Sequence, residues 1–113
     1  MIDIEKLREY GADIDHARIS FEGDDAFYLH LIELFIKKND YKVLCKMVRK
    51  NDYRKAYETI LNMKGVSGNL SLDPLFRLCS EVTEHLYNAD ELDYEPYLKQ
   101  IKKQLDLLAD LNK

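Results

Sequence analysis

The sequence predicts an all-α protein, an antiparallel up-down four-helix bundle preceded by short amino-terminal helical segments. Three observations carry this expectation. Apolar residues recur at three- and four-residue spacing along most of the chain, the period that lines one side of a helix. No stretch alternates apolar and polar residues as a half-buried strand would. The breaks between periodic stretches are short and hold residues that stop or start helices, such as Gly11, Asn51-Asp52 and Asp73-Pro74. With 113 residues the chain is long enough for one core without staples. It reads as a single domain over 1–113, with a helical cap at 1–22 and the bundle at 24–111.

The elements follow in order. Ile2 to Tyr10 is a short helical pattern using Ile4 and Leu7, and Gly11 suits its end. Asp13 to Ser20 places Ile14, Ala17 and Phe21 on one side. Gly23-Asp24-Asp25 opens a long helix, with acids where the helix dipole favours them. Phe27, Leu34, Tyr41 and Val48 recur every seven residues, and Leu31, Leu44 and Cys45 fill the gaps. No Gly or Pro interrupts, so one bent helix from Asp25 to Lys50 is expected, with any kink at Asn39-Asp40. Asn51-Asp52 turns the chain and caps the next helix. After Leu70, Asp73 is the expected N-cap and Pro74 the first helical residue of a helix carrying Leu75, Leu78, Cys79, Val82 and Leu86. Asn88 to Asp93 is a polar loop. The last helix starts near Tyr94, tolerates Pro96 in its first turn, and continues through Leu98, Ile101, Leu105 and Leu108.

The helix at Ala56 to Ser71 is the unusual one. At about 100° per residue, Ala56, Thr59, Met63, Val66 and Leu70 form a core side, with Ile60 and Ser67 at its edge. Arg54, Tyr57, Leu61, Lys64, Gly65 and Gly68 form the other side. That side has a leucine at its centre and two glycines, each costing a helix interior roughly 0.5–1 kcal/mol relative to alanine. The glycines can serve close helix packing or a bare docking surface. Burying Leu61 would carry Lys64 and Arg54 inward with it, so an exposed Leu61 is expected.

Lys64-Gly65, with Met63 before and Val66-Ser67-Gly68-Asn69-Leu70 after, resembles the histidine-phosphotransfer (HPt) domain family, whose pattern is His-x-Leu-Lys-Gly followed by small residues. The likeness extends to Gly11-Ala12-Asp13-Ile14-Asp15, Phe21-Glu22-Gly23-Asp24, Phe27-Tyr28 and Leu31-Ile32-Glu33-Leu34-Phe35. It spans nearly all the chain. Two departures stand out. The position of the phosphorylated histidine is Leu61, and a glycine usual after Leu70 is Ser71. The resemblance implies a signalling module of two-component phosphorelays that meets a response-regulator receiver domain or a sensor kinase. Phosphotransfer needs a nucleophilic imidazole nitrogen, and leucine has no lone pair. A non-enzymatic adaptor or decoy is therefore expected, with Arg54, Tyr57, Leu61, Lys64, Gly65 and Gly68 as the partner-binding residues.

The alternatives rest on other features. A displaced acceptor would have to be His16, His30 or His85. His16 lies in the cap, and His30 lies roughly 18 Å from the level of Leu61 in an antiparallel hairpin. His85 falls within about one turn of that level. A purely structural or oligomerisation bundle is the third reading. The composition, 46% hydrophobic and 34% charged, is ordinary for a soluble helical domain. A net charge of −4 with lysines spread among acids argues against a nucleic-acid partner. No apolar run suits a membrane span, and the amino terminus is no signal peptide, so a cytoplasmic location is expected. Cys45 and Cys79 lack metal spacing and read as buried free thiols. No metal and no cofactor is expected, since the acids form no ligand or acid–base pair and no phosphate loop exists.

Overall fold

Aspartates start most of the helices. In the computed structural model, which describes residues 1–113, Asp3, Asp13, Asp24 and Asp52 each accept a hydrogen bond from the backbone N–H three residues on, at 2.8–3.2 Å. Each such cap satisfies a donor that the helix cannot, and is worth about 0.5–2 kcal/mol. The elements are α1 (Ile4–Tyr10), α2 (Ile14–Ser20), α3 (Asp25–Lys37), α4 (Tyr41–Arg49), α5 (Tyr53–Asn69), α6 (Asp73–Tyr87) and α7 (Glu95–Leu111). There is no strand, as the sequence predicts. No helix is long and apolar enough to cross a membrane.

The single bent helix expected at Asp25–Lys50 is two helices. Asn39 breaks it. Its side-chain amide donates to the carbonyls of Phe35 and Ile36, and its Oδ1 accepts the N–H of Tyr41 at 3.1 Å. One side chain thus replaces backbone bonds on both sides of the gap, the competition that makes asparagine a poor interior residue. The seven-residue count through the gap therefore misreads the phase of α3. Tyr28, Ile32 and Phe35 are buried, while Phe27 and Leu34 are exposed. Beyond the gap Leu44, Cys45 and Val48 are buried as expected.

The start of α6 also differs. Leu72, not Asp73, is the N-cap, and Pro74 is the second helical residue. The cause lies at Ser71, which adopts the left-handed conformation with φ 56°. That conformation closes α5 through a Leu72 N–H to Ser67 carbonyl bond, and the chain enters α6 one residue early. Ser71 thus takes the conformation that glycine favours, at a cost of roughly 1–2 kcal/mol for an L residue. Three bonds offset it. The Ser71 carbonyl accepts from the Asp13 N–H at 3.0 Å, its hydroxyl meets His16 Nδ1 at 2.8 Å, and its own N–H reaches the Gly68 carbonyl. Gly11, at φ 114°, ends α1 and lies where a Cβ would approach Pro74 to 3.0 Å.

α5 packs along α6 and against α4, α6 packs on α7, and α1 and α3 both reach α7. Two tyrosines fasten these layers. Tyr28 donates to the Leu70 carbonyl at 2.7 Å, and Tyr41 to the Leu98 carbonyl at 2.9 Å. The expected stripes of α6 and α7 are in the core: Leu75, Cys79, Val82, Leu86, Leu98, Ile101, Leu105 and Leu108 are buried. Leu78 is half-buried. Both cysteines are buried free thiols. Burial pushes the Cys79 thiol up to about 12, against a lowering hydrogen bond from Ser67.

Candidate functional site

On α5 the core side is turned slightly from the expected one. Ala56, Ile60, Met63, Ser67 and Leu70 are buried, and Thr59 and Val66 are only partly so. Ile60 has more apolar area to hide than Thr59, whose hydroxyl bonds the Lys55 carbonyl on the outer side. Ser67 is small enough to sit fully buried where α6 brings Cys79 close.

The rotation leaves Leu61 and Gly65 on the crest of α5. Leu61 is 44% exposed. A Cβ added at Gly65 would meet no atom within 4 Å, so nothing in the chain's own packing asks for a glycine there. Arg54 and Glu58 form an exposed pair one turn away, 3.7 Å apart. Lys64, half-buried beside the crest, belongs to no ion pair.

The other expected site residues are used differently. Gly68 belongs to the α5–α6 contact: a Cβ there would come within 2.9 Å of the Phe76 ring. Here the glycine serves close helix packing against α6, the alternative the sequence leaves open for it. Tyr57 packs on Tyr87, with ring centroids 5.9 Å apart. Arg54, Leu61 and Gly65 thus line an open crest with Lys64 at its edge, while Tyr57 and Gly68 hold its flank to α6.

Sequence reasoning missed what stands on either side. Phe76 and Tyr87 form the α6 flank. On the other side a groove of about 570 Å³ separates α5 from α3. Leu31, Leu34, Met63 and Val66 are among the apolar residues that line it, and Lys38 and Asn62 are at its edge. Asn62 is fixed there by a 3.2 Å bond to Asp40. The signal for the groove was the exposed Leu34, hidden by the misread phase of α3.

The three histidines lie elsewhere. His16 is held by Ser71, and His30 is exposed on α3. His85 has both ring nitrogens engaged, Nδ1 with Asp90 at 2.7 Å and Nε2 with the Tyr97 hydroxyl at 3.2 Å. Phe76 and Tyr87, which face α5, are nearly in line along α6. His85 precedes Tyr87 by two residues and so points roughly 200° away, toward α7. No group of three or more His, Cys, Asp and Glu side chains converges to hold a metal. No family model, no curated protein and no solved structure matches this chain.

Proposed function

We propose that this chain is an HPt-like signalling module that binds a receiver domain or a sensor kinase through the crest of α5 and passes no phosphoryl group. In this reading α3 and α4 together form one interrupted arm, and α5, α6 and α7 complete an antiparallel four-helix arrangement in a cytoplasmic protein. The packing of α5 on α4 and α6, and of α7 on α6 and α3, supports that arrangement.

The observation that carries the reading is the crest itself. A half-exposed leucine stands where the resemblance puts the acceptor histidine, beside a glycine that no contact of the free chain requires. A bare backbone next to an apolar centre suits close approach by a partner, where a few central residues supply most of the energy. Lys64 offers a charge to the acidic phosphorylation pocket of a receiver. His85 favours no displaced-acceptor role, because both its nitrogens are occupied and it faces away from the crest.

The test combines calorimetric titration with a transfer assay. Receiver domains and sensor kinases from the same cell are titrated into the native chain, and phosphorylated receivers are incubated with it. Binding without label on the chain is the expected result. Label that disappears in His85→Ala would overturn it in favour of phosphotransfer. Absence of binding by every receiver and kinase would remove the module reading altogether.

A further inference from the structure

α4 and the first half of α7 are rich in lysine. α4 has no acidic residue, and Lys42 and Lys46 stand at four-residue spacing within it, with Lys50 at its C-cap. Like charges at that spacing destabilise a helix. Lys42 also lies in the first turn, where the helix dipole opposes a cation. Lys99 and Lys103 repeat the like-charge spacing on α7.

The fold brings Lys42 and Lys46 of α4 beside Lys102 of α7, and Lys99 and Lys103 follow on the adjoining surface of α7. Tyr41 bonds the Leu98 carbonyl, and Arg49 grips both oxygens of Glu95 at 2.8 and 3.2 Å, fixing α4 against α7. A concavity of about 350 Å³ lies between them, walled by Tyr41, Lys42, Cys45, Lys46, Arg49 and Lys102. Lys102 borders a second one, of about 280 Å³, together with Lys99, Lys103 and Leu107. Arg49 is neutralised by Glu95 and Lys102 by Asp106. Lys42, Lys46, Lys99 and Lys103 take part in no ion pair. Four unpaired lysines thus gather around adjoining hollows on a chain whose net charge is −4.

We propose that the α4–α7 face binds an acidic peptide segment of a partner protein. The face shares no residue with the α5 crest and does not depend on the reading of that crest. Unpaired lysines are point charges on flexible stems, suited to carboxylates at irregular spacing, and the one guanidinium is already committed to Glu95. Glu95, Asp106 and Asp110 lie among the lysines. A bilayer or a nucleic-acid duplex would press its phosphates onto these carboxylates, whereas a flexible segment can seat its acids between them. Leu107, 42% exposed in the second concavity, offers an apolar anchor for a peptide side chain.

The probe is a short, fluorescently labelled Asp/Glu peptide with a central leucine, followed by anisotropy. Saturable binding at low salt that fades at high salt is expected. The triple variant Lys42→Ala, Lys46→Ala, Lys103→Ala should bind at least about tenfold more weakly. Its melting temperature should be unchanged or higher, because like-charge repulsion is relieved. Leu61→Asp and the distant Lys55→Ala, whose lysine on α5 pairs with Asp52, should bind the peptide as the native chain does. Absence of peptide binding, or equal binding by the triple variant, would overturn the proposal. So would tighter binding to phosphatidylserine vesicles or a DNA duplex at the same salt.

Discussion

Gly65 and Gly68 stand three residues apart on α5, and their surroundings are opposite. Around Gly65 there is open space, and around Gly68 there is the ring of Phe76. The contrast extends along the helix. The crest carries Leu61 into solvent, while the closed side holds Ser67 against Cys79 and Tyr57 against Tyr87. One helix therefore carries the same residue type once against a close neighbour and once in open space. Sequence spacing alone puts both glycines on one surface. The packing separates them.

The largest expected effect falls on the closed side. Cys79 is held neutral by burial, with its pKa raised from an ordinary 9.0 to about 12, and Tyr28 is raised from 10.0 to about 12. A raised folded value means that the folded chain keeps protons the unfolded chain gives up. Stability is then fully present below about pH 9 and is lost as pH climbs toward about 12. Denaturant melts across that range should show the fall. In Cys79→Ser the onset should move up toward the tyrosine range near pH 10. An onset unchanged in that variant would mean that α6 does not seal Cys79 from water.

The two glycines give the next contrast. Gly68→Val must displace Phe76, and overpacking of this kind costs about 1–3 kcal/mol. Gly65→Ala has nothing to displace and should gain roughly 0.5–1 kcal/mol from helix propensity. Urea unfolding of the two variants should therefore shift the midpoint in opposite directions. A destabilising Gly65→Ala would close the distinction between crest and flank.

Much of the fold was readable from residues. The stripes of α6 and α7 run unbroken from cap to end, so counting by three and four finds their buried sides. Asn39 was less readable, because an asparagine inside a periodic run breaks a helix only when its side chain can bond both ends. Once that gap was counted through, Phe27 and Leu34 fell on the wrong side. The role of Gly68 depends on the register of α5 on α6, which the left-handed turn at Ser71 sets. A serine does not announce such a turn as glycine would. Lys42 and Lys46 of α4 meet Lys102 of α7 only through tertiary packing. The crest, by contrast, was legible from the position of Leu61, because it depends on one helix alone.

The central claim is that Leu61 is exposed in the free chain and central to a partner interface. Leu61→Asp tests it most directly, read by thermal melting and by titration with a receiver domain that binds the native chain. The melting temperature should stay nearly unchanged, since the side chain already faces water. Receiver binding should be lost, because a carboxylate would be buried opposite the receiver's own acids. A large fall in melting temperature, or receiver binding equal to that of the native chain, would contradict the account.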